Sequence, residues 1–157
     1  LFTAIMASIV ISLFDATIQQ IVALAILMPI VASMGGNAGT QALTVAVRAL
    51  AMREVSNINS LRVIWKETIV GALNGVAFAV IIGVVTFFWF KNTELAIIIA
   101  VAMIINLIVA GLFGAGIPIF LSRVGSDPAI ASTVLLTTVT DVIGFFVFLG
   151  LAATFLI

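Results

Sequence analysis

The sequence has 157 residues, of which 64% are hydrophobic and 8% charged, whereas soluble domains carry about 25% charged residues. This composition indicates an integral membrane protein, and the formal net charge of zero gives no basis for nucleic-acid binding. Without cysteine or histidine, the chain can form no disulfide, thiolate metal site or imidazole ligand, and it lacks the usual proton-transfer side chain.

Five apolar runs predict an all-α membrane domain of five transmembrane helices, because the later runs are long and lack the alternation of strands. The first run is shorter than the roughly 20 residues that a spanning helix needs. We therefore expect that its helix starts before Leu1 and that any upstream soluble domain lies outside this sequence. The predicted helices of this single domain cover about 1–14, 18–52, 64–90, 95–122 and 130–157.

The short loops between these helices differ in charge. Basic residues flank the second and fourth loops, whereas only Lys91 flanks the opposite side. By the positive-inside rule, the second and fourth loops are cytoplasmic and the carboxyl terminus lies outside the plasma membrane. The basic residues on the cytoplasmic side are Arg48, Arg53, Arg62, Lys66 and Arg123.

One carboxylate, Asp141, lies near the centre of the last apolar run and is the only charged residue between about 130 and 156. A charge at the bilayer midplane costs roughly 2.5–3.5 kcal/mol on insertion scales, and such residues usually face a partner or a water-filled cavity. Protonation, or a hydrogen bond to a neighbouring helix, would give Asp141 a structural role. The interpretation we favour is a cation site on a permeation pathway.

Asp141 belongs to a polar stripe on the last helix. Thr133, Thr137 and Asp141 recur every four residues, Gly144 follows three residues later, and Thr140 flanks the stripe. Each threonine could simply bond to the carbonyl four residues earlier. That explanation does not account for their alignment with an aspartate, so we predict a hydrated lumen along this stripe, with Thr137 beside the ion at Asp141.

A second polar face lies on the second helix. Asn37, Gln41, Thr44 and Arg48 are spaced at i, i+4, i+7 and i+11, which places them on one continuous face. This face predicts a pore lining that includes Gln41 and Thr44. Alternatively, it could hold neighbouring helices together.

The same helix contains residues that predict an interruption. Pro29 removes a backbone donor, and the pair Gly35 and Gly36 loosens the backbone. Broken backbone at membrane depth is tolerated where it lines a water-filled cavity. We therefore expect freed carbonyls at Gly35 and Gly36 that, with the amide of Asn37, meet the water shell of a cation.

All of these candidate ligands are oxygens, which favours hard cations such as Mg²⁺, Ca²⁺ or Mn²⁺ over zinc or copper. One carboxylate per chain cannot dehydrate Mg²⁺, which usually keeps several waters. Two copies of Asp141 across a two-fold axis would give one hydrated divalent ion two negative charges. The sequence therefore favours a homodimer with an axial pore.

Small residues in the third and fourth helices predict close helix packing. Gly71 and Gly75, like Gly111, have spacings that let backbones approach in lipid, and we interpret them as contacts within one chain. Glu67, near the cytoplasmic end of the third helix, is expected to pair with Lys66 or with an arginine of the second loop.

Two segments carry a resemblance to a known family. PIVASMGGNAGTQALTVAVRALA, which starts at Pro29, resembles the second-helix signature of the MgtE magnesium channels and transporters. SDPAIASTVLLTTVTDVIG, which ends at Gly144, resembles their last-helix signature. The five-helix plan also matches, and the resemblance covers essentially the whole chain. One departure is Val134, where many members have proline.

The resemblance implies a homodimer in the lipid bilayer, with the second and last helices of both chains lining the pore and Asp141 as the ion-binding aspartate. It also implies cytosolic regulatory domains, an amino-terminal domain and a CBS pair, which lie outside these residues. We expect a Mg²⁺-permeable channel, not an enzyme, that moves hydrated ions into the cytoplasm; Ca²⁺ and Mn²⁺ are candidates for the same site.

Two alternatives remain at this point. A proton- or sodium-coupled exchanger would use Asp141 as its coupling carboxylate, and a membrane scaffold without transport activity would use it structurally.

Overall fold

A computed structural model of the protein describes residues 1–55 and 59–157. The all-α architecture expected from the apolar runs is confirmed, since the described residues contain four helices long and apolar enough to cross a membrane and one shorter apolar helix. The helices are α1 (Phe2–Ser12), α2 (Asp15–Gln20), α3 (Ala23–Ala51), α4 (Ser60–Phe90), α5 (Thr93–Arg123) and α6 (Pro128–Phe155).

The chain breaks before α3, a boundary that the sequence analysis missed. The segment predicted as one helix from residue 18 is divided at Ile21, whose φ of −129° and ψ of 81° are not helical. The consecutive β-branched residues Ile21 and Val22 are weak helix formers, which is consistent with a break here.

The predicted interruption inside α3 is wrong. The helix continues through Pro29 and the Gly35–Gly36 pair without a break. Pro29 stands in the second turn, where its missing N–H deprives the Ala25 carbonyl of its helical donor. Neither glycine has a positive φ; among the glycines of the described residues, that conformation belongs to Gly125.

Antiparallel α4 and α5 form a hairpin closed by a short turn. Lys91 ends α4 in the left-handed conformation, with φ of 54°. The side-chain oxygen of Asn92 accepts a hydrogen bond of 3.0 Å from the backbone N–H of Leu95, which caps the start of α5. At the other end of the hairpin, the guanidinium of Arg123 donates to the hydroxyl of Ser60.

The glycines of this hairpin confirm the predicted packing within one chain. A Cβ at Gly71 would collide with the carbonyl oxygen of Leu107, and one at Gly111 would collide with the carbonyl oxygen of Glu67. A Cβ at Gly75 would lie 3.0 Å from the Cα of Ile104. The helices therefore touch through their backbones, as small residues permit in lipid.

The side chain of Glu67 is buried in this hairpin. Within residues 1–55 and 59–157, its carboxylate forms no ion pair with Lys66 or with an arginine, so the predicted pairing is wrong for the single chain.

The core lies where α3, α5 and α6 meet. α5 is the central helix, because it packs against α3, α4 and α6, while α1 packs mainly against α6. Lipid tails are as apolar as these side chains, so the hydrophobic effect does not drive the helices together in a membrane. Close packing and polar contacts between the helices stabilise the fold instead. Fully buried core side chains include Leu24, Leu27 and Val31 of α3, Ile99, Met103 and Leu107 of α5, and Phe148 and Leu149 of α6.

Candidate cation site

Asp141 lies at the midpoint of α6 and is half-buried in the single chain. Among the described residues, its carboxylate has neither a hydrogen-bond donor nor a cationic partner. A single chain therefore does not supply the neighbouring-helix hydrogen bond that a structural role would require. The two carboxylate oxygens are free to accept hydrogen bonds from water around an ion.

The threonine one helical turn before Asp141 bonds back to its own helix. Thr137 is half-buried and donates its hydroxyl to the carbonyl of Thr133 at 2.9 Å, while Thr133 itself is exposed. A hydroxyl that donates into the helix keeps its lone pairs, so it can still accept from water. Water bound to a cation presents its hydrogens outward, and this stripe offers acceptors to them.

Two residues predicted to line the pore are packed inside the chain instead. Thr140 is fully buried and donates to the carbonyls of Leu136 at 3.1 Å and Thr137 at 3.2 Å. Gly144 is buried because Asn106 of α5 packs against this part of α6, so that a Cβ on the glycine would lie 2.8 Å from the amide nitrogen. In the single chain, neither residue reaches the open face that carries Thr133.

The predicted polar face of α3 remains open. Asn37, Gln41, Thr44 and Arg48 are all exposed. The hydroxyl of Thr44 donates to the carbonyl of Thr40 at 2.8 Å, again leaving its lone pairs available. Polar side chains facing hydrocarbon are costly, so a face of this length calls for water or a protein partner.

Gly35 and Gly36 differ in their surroundings although both are helical. Gly35 is buried against Asn106, whereas Gly36 faces open space and its carbonyl accepts the hydroxyl of Thr40 at 2.8 Å. The expectation of freed carbonyls at both glycines is therefore wrong. Of the two, only Gly36 borders the open face of α3, next to Asn37.

α3 and α6 run antiparallel, and their contacts place the two polar faces at one depth. Gly35 and Gly144 meet the same side chain of α5, and a Cβ at Gly39 would lie 3.0 Å from a methyl carbon of Leu136. Asn37 is two residues beyond Gly35, about 3 Å along the helix, and Asp141 is three residues before Gly144, about 4.5 Å in the same direction. Asn37 and Asp141 thus lie within one helical turn of the same level.

Sequence reasoning missed Asn106, which the fold places at the junction of α3, α5 and α6. Its amide nitrogen donates to the carbonyl of Val31 at 2.9 Å, and the side chain is 0% exposed. The available signal was its isolation, because it is the one polar residue in the run from Leu95 to Leu121. Polar residues inside membrane segments usually face the protein interior.

The charge content of the site suits an ion that keeps its water. Within residues 1–55 and 59–157, no group of three or more Asp, Glu, His or Cys side chains is placed to hold a metal. Mg²⁺ gives up its bound waters reluctantly. A single carboxylate with amide and hydroxyl acceptors cannot replace that whole inner water shell.

Known proteins are similar to almost the entire chain. The family profile of MgtE, described as a divalent cation transporter, matches residues 28–151. The magnesium transporter MgtE of Bacillus subtilis is 35% identical over 156 residues, covering 99% of this chain and 35% of the relative. Those of Enterococcus faecalis and Thermus thermophilus are each 33% identical, covering 99% and 97% of this chain and 34% of each relative. The chain thus spans about a third of the length of these curated relatives.

Proposed function

Because this chain belongs to the MgtE family of divalent cation transporters, we propose that it forms the membrane pathway through which hydrated Mg²⁺ crosses the bilayer. The observation that carries the proposal is the carboxylate of Asp141. It lies at the midpoint of α6, a helix long and apolar enough to cross a membrane, is only half-buried, and lacks a partner among the described residues of its own chain.

Asp141 supplies the charge of the site, and neighbouring oxygens supply acceptors for the ion's water. The carboxylate attracts the divalent ion, whose charge offsets the cost of an unpaired anion in the membrane. Thr137 accepts from water on the side of α6, and Asn37 does so at the same level of α3. Gln41 and Thr44 continue the polar face toward the basic loops. Ca²⁺ and Mn²⁺ prefer the same oxygen ligands and are candidates for the same site.

A homodimer makes this pathway complete. In one chain, the polar faces of α3 and α6 are exposed, and hydrocarbon would leave their side chains unsatisfied. A two-fold axis beside these faces encloses them in a water-filled pore. It also brings two copies of Asp141 to one ion, which doubles the negative charge there.

Transport is directed inward in this proposal. The positive-inside rule, applied to the basic residues, supports a cytoplasmic position for the second and fourth loops and an outside position for the carboxyl terminus. An inside-negative potential supplies about 2.3 kcal/mol per charge per 100 mV, so about twice that value drives a divalent ion. The proposal also includes regulation by cytosolic magnesium-sensing domains outside these residues, which is what the family resemblance implies.

The test removes the charge, once with the shape of the side chain kept and once with the side chain truncated. Asp141→Asn and Asp141→Ala are expected to lower Mg²⁺ uptake into liposomes at least about tenfold, because the ion loses its attraction to the carboxylate, and a loss of about 1.4 kcal/mol already corresponds to a factor of ten. Uptake is followed with a magnesium-sensitive dye, and size-exclusion chromatography verifies folding.

Asp15→Asn is the matched control, because Asp15 is exposed in α2, where its carboxylate accepts a hydrogen bond of 2.8 Å from the side-chain amide of its helix neighbour Gln19. Normal uptake by folded Asp141→Ala protein would exclude the site. Proton or sodium counter-flux in step with Mg²⁺ would favour the exchanger, and no flux from the wild type would favour the scaffold.

A further inference from the structure

Asn106 is a buried amide in the middle of an apolar helix. It lies on α5, is 0% exposed, and reaches across to α3, where its nitrogen donates to the carbonyl of Val31 at 2.9 Å. Its oxygen has no hydrogen-bond partner among the described residues. A leucine, which has the same branched shape, would leave no unsatisfied polar atom, so packing alone does not account for the amide.

Two glycines from different helices make room for this side chain. A Cβ at Gly35 would lie 3.0 Å from the amide carbon of Asn106, and a Cβ at Gly144 would lie 3.0 Å from the same atom and 2.8 Å from the nitrogen. Both glycines have ordinary helical φ, so the backbone does not require glycine at either position. What requires it is the space that Asn106 occupies.

The three residues form one contact between the helices that carry the cation site. Gly35 precedes Asn37 by two residues on α3, and Gly144 follows Asp141 by three residues on α6. A change of about 1 Å at this contact would therefore pass directly to the side chains that face the ion.

We propose that Asn106 is a positioning residue for Mg²⁺ transport, which sets the spacing of α3 and α6 by wedging its amide between Gly35 and Gly144. This inference rests on the proposed function, because it assumes that Asp141 and Asn37 act on the transported ion. Asn106 does not touch the ion in this proposal, and its effect passes through the two helices.

A second substitution that restores transport tests the contact of Asn106 with Gly144. Gly144→Ala forces a methyl group against the amide and is expected to lower Mg²⁺ uptake about tenfold, whereas the double variant Gly144→Ala with Asn106→Ala removes the amide and recovers most of that loss. Gly116→Ala on α5 is the matched control, because a Cβ there meets open space. Failure of Asn106→Ala to improve on Gly144→Ala would overturn the proposal.

The concentration dependence of uptake separates positioning from a purely structural role. Asn106→Leu keeps the branched shape of the side chain but loses the bond to Val31, and it is expected to raise the Mg²⁺ concentration for half-maximal uptake several-fold, about the effect of one lost hydrogen bond. A purely structural residue would change the amount of folded protein or its melting temperature and leave that concentration unchanged. An unchanged value in both Asn106→Leu and Asn106→Ala would overturn the proposal.

A cross-link measures helix spacing without any transport. Because the chain has no cysteine, the pair Gly39→Cys and Leu136→Cys can report on the contact between α3 and α6, where a Cβ at position 39 would lie 3.1 Å from the Leu136 Cγ. Asn106→Ala in this background is expected to change the rate of disulfide formation, since disulfides tolerate a narrow range of spacings.

The cross-link also distinguishes the two proposals. If the wild type transports no Mg²⁺, the proposed function fails, and an altered cross-linking rate would still support Asn106 as the residue that sets helix spacing. An unaltered rate would overturn that role whether or not the protein transports.

Discussion

Two of the glycine-containing helix contacts in the described residues are built differently. In the α4–α5 hairpin, Gly71 and Gly111 let one backbone press on the carbonyls of the other. Between α3 and α6, Gly35 and Gly144 instead make room for a polar side chain from a third helix. Beyond its first two turns, the outer surface of α4 is apolar, whereas α3 exposes polar side chains along one face. Glycine spacing alone therefore does not indicate function; the polarity of the surrounding faces does.

The largest expected effect concerns the folding of the hairpin. Gly71→Ala places a Cβ against the carbonyl oxygen of Leu107, and backbone cannot move aside as a flexible side chain can. We expect destabilisation of about 1–3 kcal/mol, typical of overpacking, and a lower melting temperature and yield. Uptake per folded protein should keep its half-maximal Mg²⁺ concentration, because α4 does not carry the site.

The control for this prediction is Gly116→Ala, which adds the same methyl group in open space and should leave the melting temperature unchanged. If Gly71→Ala shifted the Mg²⁺ dependence of uptake instead of the stability, the proposed division between a structural hairpin and a transporting pair of helices would be wrong.

Local sequence patterns were sufficient to predict the long helices and the hairpin packing. Apolar runs of about 30 residues allow few alternatives to a membrane helix. Gly71 and Gly111 were recognised because small residues at these spacings mark close contacts in lipid. The open face from Asn37 to Arg48 also follows directly from helical periodicity.

The features that sequence analysis predicted wrongly depend on contacts distant in the chain. Gly35 was interpreted as a point of backbone weakness, but its role depends on Asn106, which lies 71 residues away. Thr140 belongs to the same run of threonines as Thr137, yet it is fully buried. No local rule distinguishes a glycine that loosens a helix from one that makes room for a neighbour.

An effect of intermediate size is expected in a cross-linking experiment that tests whether α3, and not α4, faces the proposed two-fold axis. Asn37→Cys on the open face of α3 is expected to form a disulfide with its own copy across the proposed two-fold axis. Asn74→Cys, on α4, should not do so, because α4 packs on α5 and otherwise presents an apolar surface suited to lipid. The absence of native cysteine makes each product unambiguous, and non-reducing gels of protein in lipid measure it.

The comparison would fail if position 74 cross-linked while position 37 did not. That result would place the axis beside the hairpin and leave the polar face of α3 without a partner.

The smallest expected effect lies at the inner end of the open face. Arg48 is exposed in the last turn of α3, on the same face as Asn37 and Gln41, so its positive charge stands where ions leave the proposed pore. Repulsion of a divalent ion across several ångströms of water, screened by salt, alters a rate by about twofold. Arg48→Gln should therefore increase inward Mg²⁺ flux by about that factor at low ionic strength, with a smaller increase at high salt. Arg62→Gln provides the matched control, since Arg62 is likewise exposed but lies near the start of α4, away from the polar face of α3. Equal effects of the two substitutions would mean that net surface charge, and not the position of Arg48 on the polar face, controls the rate, and the inner mouth of the pathway would then have to be sought elsewhere.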